Sequence, residues 1–123
     1  IYQNIWQELL MSYDLVNEMN YRLKQLDTST RMLREAGAKK ANTEALYRQE
    51  LAKEILNRRA EGMPVTIISD ICRGQPRIAK LKIDRDIAES TYQSIIESIN
   101  SQKLAIRVLE AQIAREWTSN KQI

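Results

Sequence analysis

The sequence predicts an all-α protein, and three observations lead to that prediction. Apolar residues in the second half of the chain recur at alternating spacings of three and four residues. The 123 residues include only 3 Gly and 2 Pro, too few for the turns of an all-β protein. Phe is absent and aromatic residues make up 6% of the chain, so aliphatic residues must fill a thin core. We expect a single domain over residues 1–123: a long antiparallel helical hairpin, coiled-coil-like, with a short structured tip, which assembles into a helical-bundle oligomer.

The first predicted helix extends from about residue 3 to residue 61. Its apolar face begins at Ile5 and recurs at helical spacing as far as Ile55, with Glu, Lys, Arg and Gln between the apolar positions. The middle of this face is weaker, because residues 27–30 and 37–43 contain poor helix formers. Either segment is compatible with a kink or a short break, but a continuous or merely kinked helix is the favoured interpretation.

The tip is predicted over residues 62–76, because it is bounded by two glycine and proline pairs. These are Gly62 with Pro64, and Gly74 with Pro76. In each pair glycine ends one element and proline either stops it or opens the next. Between the pairs, Thr66 would cap a short helix. A strand over residues 65–68 is the alternative, since β-branched residues dominate there.

The second predicted helix, from about residue 77 to residue 118, carries two apolar stripes. The first contains Ile78, Leu81, Ala88, Tyr92, Ile95, Ile99, Ile106, Leu109 and Ile113, with Arg85 and Gln102 as its interruptions. The second contains Ile83, Ile87, Ile96, Leu104 and Val108. One partner helix cannot cover both stripes, so we expect a homo-oligomer. The predicted oligomer seam comprises Ile83, Ile87, Tyr92, Ile95, Ile99, Ile106, Leu109 and Ile113.

The composition argues against enzymatic chemistry. The chain has no His and a single Cys, which excludes histidine-activated nucleophiles and the usual zinc sites. Its three glycines are isolated, so no phosphate-cradling loop is present. Asp84 and Asp86 near Glu89 could hold a divalent ion, but Arg85 lies between them and a solvated helix face is favoured. We predict a protein that is not an enzyme and has no cofactor.

Cysteine usage and hydropathy indicate a cytoplasmic protein. Cys72 has no partner for an intramolecular disulfide and stands among isoleucines, which is typical of a buried packing residue in a reducing compartment. The first residues lack the basic start and apolar block of a secretory signal. No stretch approaches the roughly 20 uninterrupted apolar residues of a membrane span.

Basic residues concentrate around the tip and form the candidate partner or anion contact. They are Arg58, Arg59, Arg73, Arg77, Lys80 and Lys82. Folding the two long helices together brings these residues to one end, where they could meet phosphates or an acidic protein surface. Cations near helix ends are also common on ordinary solvated surfaces, and nearby carboxylates dilute the patch. Trp6 and Trp117 are expected at the opposite end, where they would close the core or anchor a partner.

Two segments carry a resemblance to a known group of proteins. The segments are residues 58–70, with Met63-Pro64-Val65-Thr66 at their centre and Arg73-Gly74 shortly after them, and residues 105–117, which end at Trp117. Over about residues 45–117 the chain resembles small uncharacterised helical proteins of phages and prophages, whose genes often neighbour single-strand annealing or replication genes. The resemblance supplies no catalytic residues.

The resemblance implies a non-enzymatic accessory protein in the host cell cytoplasm. Such a protein would bind a protein or a nucleic acid of a DNA recombination or replication pathway. The alternative is a counter-defence protein that inhibits a host immune factor or sequesters a signalling nucleotide. The expected partners are therefore further copies of the chain, a protein, and a nucleic acid or nucleotide, with no membrane.

Overall fold

The computed structural model describes the backbone of residues 2–121 and the side chains of residues 4–119. Over this range the chain forms three α-helices: α1 (Tyr2–Ala60), α2 (Val65–Gly74) and α3 (Pro76–Lys121). The prediction of an all-α fold is confirmed. Within the same range, none of the helices combines the length and the hydropathy needed to cross a membrane.

Helix α1 passes without interruption through both weak segments that the sequence contains. Thr28, Thr30 and Thr43 donate their hydroxyl hydrogens to backbone carbonyls four residues earlier, at 3.1, 2.9 and 2.8 Å. These bonds occupy hydroxyl groups that otherwise compete with helical hydrogen bonding. The favoured interpretation of a continuous first helix is therefore confirmed.

A glycine motif ends α1, as the sequence predicts. Gly62 has a φ of +88°, in the left-handed region that favours glycine. Its N–H donates to the Arg59 carbonyl at 3.0 Å, and the Met63 N–H donates to the Arg58 carbonyl at 3.1 Å. This pair of bonds is a Schellman motif, which satisfies carbonyls that the end of the helix leaves unpaired.

The tip contains a helix, so the alternative of a strand over residues 65–68 is wrong. The predicted cap at Thr66 is also wrong, because α2 begins one residue earlier and its N-cap is Pro64, with φ −59° and ψ 136°. Proline holds this extended conformation without a side-chain cap, and its carbonyl accepts from the Ile67 N–H at 3.3 Å. At the other end, α3 opens at Pro76, as predicted.

Contacts divide the chain into two compact units, each of which contains a segment of α1 and a segment of α3. Residues 33–94 form the first, here called the α2 unit, and the described residues within 1–32 and 95–123 form the second, the terminal unit. In the α2 unit, Glu50 pairs with Arg77 and Glu44 with Arg85, so the two segments run in opposite directions. Its buried apolar residues are Tyr47, Ile68, Cys72, Ile78 and Ala88.

The terminal unit has an apolar core with one polar link. Its buried apolar residues are Ile99, Ile106 and Leu109. Gln102, between them on α3, donates to the Ser29 hydroxyl of α1 at 2.9 Å. The buried and half-buried positions of α3 thus follow the first stripe that the sequence indicates, with its two polar interruptions included.

The burial of the first stripe bears on the predicted oligomer seam, which stays a prediction. Ile99, Ile106 and Leu109 are only 7–8% exposed in the single chain, so they already belong to its own core. Tyr92, Ile95 and Ile113 are half-buried. Only Ile83 and Ile87, at 56% and 57%, are exposed. The predicted seam combines Ile83 and Ile87 of the second stripe with six residues of the first, and the chain itself covers those six at least in part.

Candidate anion-binding groove

Basic residues from all three helices line one surface groove of the α2 unit, with a volume of about 390 Å³. We call it the basic groove. Its lining residues are Tyr47, Arg48 and Leu51 of α1, Arg73 of α2, and Lys82 and Arg85 of α3. Four of these six side chains are cations, and the other two, Tyr47 and Leu51, carry no charge.

The helices fix the spacing of these cations. On α1 and α3, the lining residues lie three apart, as Arg48 with Leu51 and Lys82 with Arg85, so each pair shares one helical face. Arg73 lies in the last turn of α2, next to the fully buried Cys72. The burial of that neighbour attaches the end of α2 to the core and holds the Arg73 backbone at the groove.

Arg85 is the most constrained of the four cations. Its guanidinium carbon lies 4.5 Å from the centroid of the buried Tyr47 ring, which is a cation–π contact. Its Nε lies 3.5 Å from a Glu44 carboxylate oxygen, and its Nη2 lies 3.1 Å from Asp86 Oδ1. These three contacts hold a charge at a position where the rest of the stripe is mainly apolar.

The groove retains an excess of positive charge after its ion pairs are counted. Arg48 donates to the same Glu44 carboxylate that Arg85 approaches, at a distance of 2.6 Å. Arg73 and Lys82 are exposed, and among the residues whose side chains are described neither forms an ion pair. Two free cations beside two partly neutralised ones suit a phosphate group, whose oxygens accept several charged hydrogen bonds at once.

The structure separates the six predicted contact residues into three groups. Arg73 and Lys82 meet in the basic groove. Arg58 and Arg77 are instead engaged with carboxylates of α1. Arg59 and Lys80 are exposed and form no ion pair with any side chain between residues 4 and 119. Of the six cations, two therefore line the basic groove, two pair with carboxylates of α1, and two are exposed without an ion pair among these side chains.

The ion pairs of Arg77 and Arg58 with carboxylates of α1 shift the pKa values of Glu50 and Arg58. Arg77 donates to Glu50 at 2.6 Å and lies 3.7 Å from Glu54, and this hydrogen bond holds the pKa of Glu50 below its ordinary value. Arg58 donates to Glu54 at 3.0 Å, and that bond raises the pKa of Arg58. Both arginines thus stabilise contacts within the chain, so they are poor candidates for residues that bind a ligand.

The sequence prediction omitted Arg48 and Arg85 from the site. Arg85 had a detectable signal, because a charged residue that interrupts an apolar stripe must find a specific partner within the fold. Arg48 had none, since α1 carries many cations on its solvated side and only the packing of α2 and α3 brings this one to a groove.

One other groove is a weaker candidate site. A larger groove of about 570 Å³ is lined by Gly37, Lys40, Ala41, Glu44, Arg85, Glu89 and Tyr92. Lys40 lies 4.8 Å from the Tyr92 ring centroid, but two carboxylates balance the two cations of this groove. Over the described residues, no three His, Cys, Asp or Glu side chains are grouped in a way that could hold a metal ion.

Fold and groove together define an all-α protein with an electropositive surface groove. Comparison of the chain with protein-family models, curated proteins and solved structures gave no match. The resemblance to phage-encoded proteins therefore stays a prediction, and the function must be inferred from the groove itself.

Proposed function

We propose that the protein is a non-catalytic nucleic-acid-binding accessory protein whose basic groove contacts backbone phosphates. The observation that supports this most is the convergence of Arg48, Arg73, Lys82 and Arg85 from three helices on one groove, with Arg73 and Lys82 in no ion pair among the described side chains. Arginine and lysine side chains supply most phosphate contacts in such complexes. This activity would suit the expected place in DNA recombination or replication.

The lining residues favour recognition of the backbone over recognition of bases. The only aromatic residue of the groove, Tyr47, is 6% exposed and has Arg85 over its ring. It therefore offers no free face on which a base could stack, and stacking is the usual source of base contacts with single strands. Binding through the groove should consequently depend on salt and depend little on sequence.

One observation favours the counter-defence alternative, sequestration of a signalling nucleotide. The groove volume of about 390 Å³ falls in the range of roughly 300–1,000 Å³ that is usual for small-ligand sites. A nucleotide would use the same phosphate contacts as a nucleic acid. The two functions therefore differ in the ligand that binds more tightly.

Fluorescence anisotropy with labelled 30-nucleotide single strands and matching duplexes tests the proposal. The double variant Arg73→Ala/Lys82→Ala should lose about tenfold in affinity, on the order of 1.4 kcal/mol, and keep its helical circular dichroism. Arg59→Ala/Lys80→Ala is the matched control, because it removes the same charge from exposed positions that do not line the groove.

Three results would contradict the proposal. Equal losses in the two double variants would indicate attraction by net charge alone. Absence of binding by the unaltered chain at low salt would contradict any nucleic-acid function. Displacement of the oligonucleotide by a cyclic dinucleotide at far lower concentration than by unlabelled DNA would favour the alternative.

A further inference from the structure

A second feature, in the terminal unit, is an exposed apolar stripe on α1. Its apolar members are Trp6, Leu9, Tyr13, Val16 and Leu23, whose exposed fractions lie between 47% and 66%. Asn20 occupies the remaining position of the series. We call these six residues the α1 stripe. It is distinct from the half-buried positions of α1 in this unit, which include Ser12, Leu15, Met19 and Arg22.

The α1 stripe has the spacing of a coiled-coil seam. Its six positions follow one another at intervals of three, four, three, four and three residues. Such a series stays on one side of a helix and fits a second helix that carries the same repeat. A globular partner surface would not require this regularity over five intervals.

Asn20 indicates the identity and direction of the second helix. A single asparagine among apolar seam residues costs stability unless it meets another polar side chain, and in parallel coiled coils it pairs with the same residue of an identical helix. That pairing fixes one register. In a parallel dimer, the Asn20 side chain of one copy would pair with the Asn20 side chain of the second copy.

The charges beside the α1 stripe are compatible with a second copy. Ile5, Ser12 and Met19 lie on one flank, and Leu10, Asn17 and Lys24 lie on the other. In parallel register the only charged flanking residue, Lys24, faces Met19 of the second copy, so no like charges oppose each other. A partner selected by charge would instead need charged flanks.

We propose that the chain forms a parallel dimer through the α1 stripe. This interface differs from the α3 seam that the sequence predicts, and it goes beyond the proposed function because it does not involve the basic groove. Each copy contributes one α1 segment, already packed in its own terminal unit, to a shared seam centred on Asn20.

Sedimentation equilibrium at 1–100 µM tests the interface. The unaltered chain should be dimeric, and Leu9→Glu/Val16→Glu should be monomeric over this range with unchanged helicity. The matched control is Leu104→Glu/Val108→Glu, which places the same charges at residues of the same unit that are 60% and 59% exposed on α3. This control should remain dimeric.

Oxidative crosslinking tests the register. Asn20→Cys should give a disulfide-linked dimer, because Cα atoms at paired seam positions lie within the few ångströms that a disulfide spans. Gln25→Cys, exposed and outside the α1 stripe, should not, and the native Cys72 is fully buried. A monomeric unaltered chain, a dimer lost only in the α3 control, or a dimer without the Asn20→Cys crosslink would each overturn the proposal.

Discussion

At the scale of single residues, arginines of similar appearance in the sequence have different tasks in the structure. Arg77 and Arg58 hold carboxylates of α1, whereas Arg73 lies in the basic groove without an ion pair among the described side chains. Position near the tip in the sequence does not show which arginines form ion pairs, because that depends on which glutamates of α1 face each arginine. Glu50, for example, is 27 residues away from Arg77 in the sequence.

The pair of Glu50 and Arg77 gives a prediction about pH. The hydrogen bond from Arg77 holds the pKa of Glu50 below its ordinary value of 4.5, so the contribution of this pair to stability is present above that value. It is lost as the pH falls through the lowered pKa, because protonation removes the charge. Arg77→Ala should therefore raise the pKa of Glu50 and reduce the loss of stability between neutral and acidic pH.

Carboxyl NMR titration of Glu50 measures the effect directly, with denaturation midpoints at pH 7 and pH 3 as the second readout. Lys80→Ala is the control, since Lys80 makes no ion pair between residues 4 and 119. Identical Glu50 titrations in the unaltered chain and the Arg77→Ala variant would contradict the assignment.

At the scale of elements, the local chemistry of the chain predicts most of the helix boundaries. The expected first helix, over about residues 3–61, differs by one residue at each end from α1, at Tyr2–Ala60. Gly62 and Pro76 act through their own backbone preferences, so sequence is sufficient at those points. The prediction of a cap at Thr66 was wrong because α2 begins at Val65, with Pro64 as its N-cap. The basic groove and the burial of Ile99 depend on contacts between distant segments, which spacing along one helix does not reveal.

Two glycine substitutions should have opposite effects on stability. Gly37→Ala should raise the free energy of unfolding by about 0.5–1 kcal/mol, because alanine favours the helix. The added Cβ would lie 3.5 Å from the Tyr92 ring, an ordinary contact distance. Gly62→Ala should lower the free energy of unfolding by about 1–2 kcal/mol, since alanine is strained in the left-handed region.

Urea denaturation followed by circular dichroism compares the two variants with the unaltered chain. Each substitution adds one methyl group, so they control for each other. A destabilised Gly37→Ala variant would mean that the Tyr92 ring approaches α1 more closely than the structure shows. A neutral Gly62→Ala variant would mean that α1 ends in a different conformation.

At the scale of the whole molecule, two surfaces of different chemistry lie in different units. The basic groove belongs to the α2 unit, and the α1 stripe belongs to the terminal unit. The first suits an anionic ligand and the second a further copy of the chain. A protein with this division would bind its ligand with residues that assembly does not use. Single-strand and duplex binding to the groove would then be a property of each copy.

The salt dependence of single-stranded DNA binding tests the central claim, that the basic groove contacts phosphates. If Arg73 and Lys82, the two groove cations in no ion pair among the described side chains, each neutralise one phosphate, they should contribute about −1.4 to the slope of the logarithm of the binding constant against the logarithm of salt concentration. Arg73→Ala/Lys82→Ala should reduce the magnitude of this slope by about 1.4, and Arg59→Ala/Lys80→Ala should leave it unchanged. A slope that the groove variant does not change, or that both variants change equally, would contradict the account.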